Sequence, residues 1–142
     1  MKLTILLILL TGIISFAHSQ EMATPAVPSS IQKAFQKSNP AITAPEWKQS
    51  GDSYTAVYSE NQLERSITYN ASGKVQLKEE QVTLAQLPTG VIKYINENHA
   101  DGTIKKARKI VKSGGKYSYS VSIKGMELLF DANGNYLNPS HN

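Results

Sequence analysis

The sequence predicts an α+β protein built as a tandem repeat, in which each unit is one helix followed by a roughly four-stranded antiparallel meander. Two alternating runs, Tyr117–Ile123 and Met126–Phe130, are separated by Lys124-Gly125, a spacing typical of a hairpin. A similar meander occupies residues 54–77. Because each meander has one apolar face, we expect a helix to cover it and both helices to pack on one sheet face.

Matching positions about 60 residues apart support the repeat. Pro28 and Pro88, which open the two helices, are 60 residues apart, and Gly73 and Gly134, in equivalent hairpins, are 61 apart. The offset drifts between these positions, which indicates small differences in loop length. The predicted units are residues 27–80 and residues 81–137.

The first helix follows Pro28, and either of the next two serines can cap its free N–H groups. Ile31, Ala34 and Phe35 lie at i, i+3 and i+4, so they form one apolar stripe. The helix should end before Pro40, because the residue preceding a proline avoids helical geometry.

The second helix has the same stripe at Val91, Tyr94 and Ile95. Thr83–Gln86 has the spacing of a capping box, which predicts a short helical turn before it. Gly102 is suited to a left-handed cap at its end. The predicted strands are residues 46–49, 54–59, 63–69, 74–79, 103–112, 117–123, 126–130 and 135–137.

The N-terminal segment predicts export. A positive start precedes an apolar run of about 14 residues, which is shorter than a membrane-spanning helix. We expect a signal peptide over residues 1–19, cleaved near Ser19-Gln20, rather than a membrane anchor. A flexible leader over residues 20–26 and a frayed tail over residues 138–142 complete the chain. The protein is therefore predicted to be periplasmic or secreted, without membrane insertion after cleavage.

The sequence lacks the residues that several kinds of catalysis and metal binding require. The chain has no cysteine, which excludes disulfides, thiol catalysis and thiolate metal sites. No Gly-x-Ser-x-Gly motif is present. His99 lies near the C-terminal end of the second predicted helix and His141 lies in the tail, so we expect neither to be catalytic. Asp131-x-Asn133-x-Asn135 resembles the start of a calcium loop, but Tyr136 stands where such a loop needs glycine. We interpret this segment as a hairpin turn, and expect no enzyme activity, metal or cofactor.

Positive charge is concentrated late in the chain. Residues 87–142 carry eight basic and four acidic residues, whereas residues 28–80 carry six of each. The excess lies mainly over residues 105–116, which fits either an acidic partner or a solvated strand whose lysines discourage edge pairing. Nucleic acid is not expected, because no binding motif accompanies the charge.

Aromatic and serine side chains supply the other candidate contacts. In the predicted strand 117–123, one face carries Tyr117, Tyr119, Val121 and Ile123, and the other carries Ser118, Ser120 and Ser122. We expect the tyrosine face to be partly core and the serine face to be wet. Strand aromatics pack in cores but also anchor interfaces. The candidate partner-binding residues are Lys106, Arg108, Lys112, Ser118, Ser120, Trp47 and Tyr58.

The pattern resembles the PepSY-like family of β-lactamase-inhibitor-like exported bacterial proteins. The residues that carry the resemblance are Val27-Pro28 with Ala34-Phe35, Trp47, Tyr54–Tyr58, Ile67–Asn70 with Gly73, Leu87-Pro88 with Ile95, and Tyr117, Val121, Gly125–Leu128, Phe130-Asp131 and Gly134. The resemblance covers residues 27–137 and implies the tandem fold and an envelope or secreted location. It implies no established activity and transfers no inhibitory residues.

These features together predict a non-enzymatic exported binding module that acts on an exported or envelope protein, for example as an inhibitor or modulator. The alternative is a module that binds a small ligand or an anionic surface polymer through the open face of the sheet. Binding through the basic segment should weaken steeply with salt, whereas aromatic anchoring should not.

Overall fold

Eight alternating runs pair in sequence order into one antiparallel sheet in the computed structural model, which describes residues 25–137. One helix precedes the first four strands, and a second helix lies between the fourth and fifth. The elements are α1 (Ser29–Ser38), β1 (Glu46–Ser50), β2 (Ser53–Glu60), β3 (Leu63–Tyr69), β4 (Val75–Gln81), a 3₁₀ turn (Leu84–Gln86), α2 (Thr89–Asn98), β5 (Ile104–Lys112), β6 (Tyr117–Ile123), β7 (Met126–Asp131) and β8 (Tyr136–Leu137).

The predicted tandem repeat of two helix-plus-meander units is wrong, because the strands form a single continuous sheet. β4 pairs with β5 from Leu77 opposite Lys112 to Gln81 opposite Arg108, across the expected boundary between residues 80 and 81. Two separate meanders would each leave an unpaired strand edge, and joining them satisfies those backbone groups. Similar local segments at a regular spacing do not reveal whether their edges join.

The first helix begins directly after Pro28, whose carbonyl oxygen accepts hydrogen bonds from the N–H groups of Ile31 and Gln32 at 3.0 and 3.1 Å. No side chain caps this end, so the expected serine cap is wrong. The fixed φ of Pro28 starts the helix at Ser29, which places the serines inside the first turn. Ile31 and Phe35 are the buried residues of the helix, as the apolar stripe predicted.

The second helix buries Val91 and Ile95 in the same way. The expected left-handed cap at Gly102 is wrong, because Gly102 is not among the glycines with positive φ. Its lack of a side chain has a packing reason instead. A Cβ atom there would lie 2.6 Å from Cδ1 of Ile123, a fully buried residue of β6.

Both helices pack on the same face of the sheet and produce two apolar clusters. α1 covers β1 to β3, where Ala56, Ile67 and Tyr69 are buried. α2 covers β5 to β8 in a larger cluster, which consists of Val82, Leu87, Val91, Ile95, Ala107, Tyr119, Val121, Ile123, Leu128 and Phe130. Burial of Tyr119 and Val121 confirms that this face of β6 is core.

The predicted signal peptide, most of the leader and the tail lie outside the described residues. No helix within residues 25–137 is long and apolar enough to cross a membrane.

Candidate functional site on the open face of the sheet

Strand alternation gives the sheet a second face, opposite the helices, which we call the open face. The register places Glu46, Val57, Ser66, Glu79, Ile110, Ser118 and Asp131 in one row across it. Among the described elements, neither helix covers this face. Its side chains are mainly hydroxyls, carboxylates and cations, with scattered apolar residues between them.

The open face is concave over its first five strands. A cavity of about 290 Å³ lies there, lined by side chains from each of β1 to β5. Its lining includes Lys48, Thr55, Glu64, Glu79 and Arg108. Because the lining alternates in charge and carries hydroxyl groups, it suits hydrogen bonding with a polar surface better than enclosure of an apolar ligand.

Glu64 is the electrostatic centre of this concavity. Its Oε1 accepts a hydrogen bond from Lys106 Nζ at 2.6 Å and lies 3.7 Å from Arg108 Nη2, two strands away. The hydrogen bond from Lys106 holds the pKa of the Glu64 carboxyl below its ordinary value. Two cations of the basic segment are therefore paired within the protein, which leaves less positive charge for an anionic partner.

Hydroxyl groups tie neighbouring strands together on the same face. Ser66 Oγ donates to Glu79 Oε2 at 3.1 Å, and the hydroxyls of Thr55 and Thr68 lie 2.9 Å apart. Ser120, which is only 4% exposed, donates to Glu127. These bonds fix the rotamers of the open face and so reduce the conformational entropy that a partner would have to remove.

The structure brings five of the seven predicted contact residues together. Strand alternation places Lys106, Arg108 and Lys112 of β5 and Ser118 and Ser120 of β6 on the open face. The expected wet serine face is only partly wet, since Ser120 is buried beneath the Glu127 side chain.

The other two predicted contact residues, Trp47 and Tyr58, lie on the helix side. Both rings meet Phe35 edge-on, with centroids 5.6 and 5.5 Å away. The Tyr58 hydroxyl donates to Asn39 Oδ1 at 3.2 Å, and burial raises the pKa of that hydroxyl. Because α1 covers these rings, they stabilise the first cluster and are separated from the open face.

Sequence reasoning missed the acidic half of the site, namely Glu64, Glu79 and Glu127. Side chains alternate between the two faces along β3, so Glu64 lies on the same face as Ser66, and this could have been predicted from the sequence. The pairing of Glu64 with Lys106 depends on the register of three strands, which the sequence does not display.

The Asp131 turn is explained by its own hydrogen bonds. Asp131 Oδ1 accepts from the N–H groups of Asn133 and Asn135, each at 2.9 Å, and Oδ2 accepts from Asn135 Nδ2 at 2.9 Å. The side-chain bond from Asn135 lowers the pKa of this carboxyl. In the described part of the chain, no group of three or more His, Cys, Asp or Glu residues is arranged to hold a metal ion.

Solved structures from Bacteroides share this fold. A protein from Bacteroides eggerthii that is described as periplasmic is 19% identical, with a TM-score of 0.73, over 80% of this chain and 88% of that chain. A DUF2874 family protein from Bacteroides uniformis is 14% identical, with a TM-score of 0.71, over 79% and 87%. A BLIP-like protein from Bacteroides fragilis is 21% identical, with a TM-score of 0.64, over 81% and 87%.

Neither a family model nor a curated protein sequence matches the chain. At such low identities the structural similarity establishes the fold alone, and the resemblance to the PepSY-like family stays a prediction. The chain has a BLIP-like fold: one open antiparallel sheet with two helices on one face.

Proposed function

We propose that this protein is a non-enzymatic exported binding module that holds a protein partner on the open face of its sheet. The main observation in support of this proposal is the concave, polar surface that spans β1 to β5 and that neither helix covers. Its charged groups and hydroxyls can form hydrogen bonds with a polar partner, and protein interfaces carry about one hydrogen bond per 100–200 Å².

Export is part of the proposal. The sequence over residues 1–19 has the pattern of a signal peptide, and one structural neighbour is described as periplasmic. A partner would then be an exported or envelope protein, and the BLIP-like neighbour makes an inhibitor or modulator the favoured role.

The alternative of an anionic polymer or small ligand has weaker support. Strand alternation divides the basic segment between the two faces, since Lys109 points to the helix side and lies over the Tyr117 ring. On the open face, Lys106 and Arg108 are paired with Glu64, whereas Lys112 has no ion pair among the described residues. Binding of an anionic polymer should therefore be weak and should fall steeply with added salt.

The test is affinity capture from the native envelope, with the purified protein as bait and mass spectrometry as the readout. Val57→Arg places a long charged side chain in the central row of the open face and within the surface that spans β1 to β5, whereas Tyr58→Phe changes only the helix side. A specific partner should be captured by the wild type and by Tyr58→Phe but lost with Val57→Arg. Equal capture by both variants, or turnover of a substrate by the protein, would contradict the proposal.

A further inference from the structure

The two edge strands of the sheet differ in length in the described part of the chain. β8 has only two residues, whereas β1 has five and pairs on one side only, with β2. Four of the five residues of β1 are exposed. An edge of this length presents a row of unpaired backbone groups, which can pair with a further strand.

The turn between β1 and β2 determines which backbone groups of β1 are free. Ser50 lies opposite Ser53 across a two-residue connection, so this pair exchanges both of its backbone hydrogen bonds. Such bonds alternate along an antiparallel pair, so Lys48 also bonds to β2. The N–H and C=O groups of Trp47 and Gln49 therefore point away from the sheet.

These free groups form a short row of donors and acceptors at the edge. Within residues 25–137, no backbone hydrogen bond from a turn, loop or cap satisfies Trp47 or Gln49. Pro45 occupies the preceding position of the same row and has no N–H, but its C=O can still accept. A strand that pairs here must therefore place its donors opposite these particular groups.

The charged side chains of β1 restrict which strand fits the edge. Lys48 Nζ lies 3.4 Å from Glu46 Oε1 on the open face, and the two side chains are 60% and 68% exposed. A lysine on an edge strand ordinarily discourages pairing, because it repels a like charge on the incoming strand. Here a carboxylate lies two residues away, so a second copy of the same strand, running antiparallel, can offer each charge its opposite.

We propose that two copies of this protein associate through their β1 edges, antiparallel and centred on Trp47. In this register the two Trp47 residues exchange backbone hydrogen bonds, and the N–H of Gln49 in each copy donates to the C=O of Pro45 in the other. Every free donor of the two strands is then satisfied. Glu46 of each copy lies directly opposite Lys48 of the other, which adds two cross-strand ion pairs.

The other symmetric registers lack this charge complementarity. A two-fold axis pairs one residue with its own copy, so centring on Lys48 or on Glu46 places like charges directly opposite, which is destabilising. Centring on Gln49 loses both ion pairs and brings Trp47 opposite Gly51, a turn residue with a φ of +55°. Charge therefore selects the register that is centred on Trp47.

The dimer joins the two sheets into one and places both open faces on the same side. It does not depend on the proposed function, because its test uses this protein alone. A contact limited to one short strand from each copy is smaller than a standard interface. We therefore expect weak association, with the protein monomeric at about 10 μM and largely dimeric near about 1 mM.

Sedimentation equilibrium over this concentration range tests the dimer. Lys48→Glu puts a second carboxylate opposite Glu46, so it should weaken association at least about tenfold, and Glu46→Lys should do the same with ammonium groups. An equimolar mixture of these two variants should associate again, because an acidic β1 then faces a basic one. Lys105→Glu, at an exposed position of β5, is the control and should stay within about twofold of the wild type. Circular dichroism reports whether each variant is folded.

Single cysteines test the register, because the chain has none of its own. Directly opposed residues outside the hydrogen-bonded pairs have Cα atoms about 4.5 Å apart, within the range of a disulfide. An oxidised mixture of Glu46→Cys and Lys48→Cys should give mainly the mixed disulfide, which keeps the other ion pair intact. Mass spectrometry distinguishes it from the two dimers of a single variant.

Four outcomes overturn the proposal. The wild type could remain monomeric up to about 1 mM, or Lys48→Glu could associate as strongly as the wild type. The mixture of the two charge variants could fail to associate. Dimers of Lys48→Cys alone could exceed the mixed disulfide, which would place the axis at residue 48.

Discussion

Tyr58 shows how the strand face decides the role of a single side chain. Its position in an alternating strand fits either a core or an interface, and the structure places it under α1 against Phe35. Its hydroxyl donates a hydrogen bond to Asn39, the residue at the C-terminal end of that helix.

Tyr58→Phe should therefore lower the free energy of unfolding by about 1 kcal/mol, the net value of one partly buried hydrogen bond. Urea unfolding followed by circular dichroism measures this loss. Phe35→Ala, by contrast, removes a ring that is 2% exposed and should cost about 3–5 kcal/mol. Leu84→Ala, at a residue that is 54% exposed, is the control and should change the stability by less than about 0.5 kcal/mol. A larger cost for Tyr58→Phe than for Phe35→Ala would contradict this packing.

Glu64 should make stability depend on pH. The Lys106 hydrogen bond lowers the folded pKa of Glu64, so its contribution is present above the ordinary carboxyl value of 4.5 and is lost as the pH falls through the lowered value. Because the Glu64 side chain is 48% exposed, solvent screening limits this contribution to less than about 1 kcal/mol.

Glu64→Gln should accordingly destabilise the protein near about pH 7, and its difference from the wild type should shrink as the pH falls below the ordinary carboxyl value of 4.5. Urea unfolding at a series of pH values measures this difference. Glu97→Gln, in a more exposed pair 3.9 Å from Lys93, is the control and should show a smaller difference. If the stability difference between Glu64→Gln and the wild type grows as the pH falls, the predicted direction of the pH dependence is contradicted.

At the scale of elements, the start of α2 is held by the turn between β7 and β8. A Cβ atom on Gly134 would lie 2.9 Å from Pro88 Cβ and 3.0 Å from the backbone nitrogen of Val91. Gly134 also has a φ of +86°, which other residues rarely adopt. This close approach positions the helix over its apolar cluster.

Gly134→Ala should therefore destabilise the protein more than Gly114→Ala does. Both residues have positive φ, which costs an alanine about 1–2 kcal/mol, but a Cβ on Gly114 meets nothing within 4 Å. Thermal and urea unfolding of the two variants isolate the additional cost of displacing α2. Equal losses would mean that the turn and the helix do not constrain one another.

At the scale of the whole molecule, the pairing of β4 with β5 predicts one cooperative unfolding unit. Trp47 is the single tryptophan and belongs to the first cluster, so its fluorescence reports on that cluster alone. Ile123 is fully buried in the second cluster.

Ile123→Ala should lower the stability by about 2–5 kcal/mol and should move the fluorescence and circular-dichroism midpoints together. If the two clusters unfolded independently, Ile123→Ala would leave the unfolding midpoint measured by Trp47 fluorescence unchanged, which would contradict the prediction. Ala56→Gly, in the first cluster, is the reciprocal control and should also shift both signals.

The sequence by itself determined the local elements, because helix and strand periodicity, proline and turn glycines act over a few residues. The stripe of Ile31 and Phe35 and the eight strands follow from such patterns, and the observed strand ends agree within one or two residues. Of the site, it identified the basic and serine residues of β5 and β6 but not their acidic partners.

Only the tertiary structure decided how these elements combine. The pairing of Leu77 with Lys112 joined two expected units into one sheet, and the strand register brought Glu64 to Lys106. Helix packing removed Trp47 and Tyr58 from the candidate surface. These relations join residues that are distant in the chain, and their energies depend on register and burial, which local propensity does not specify.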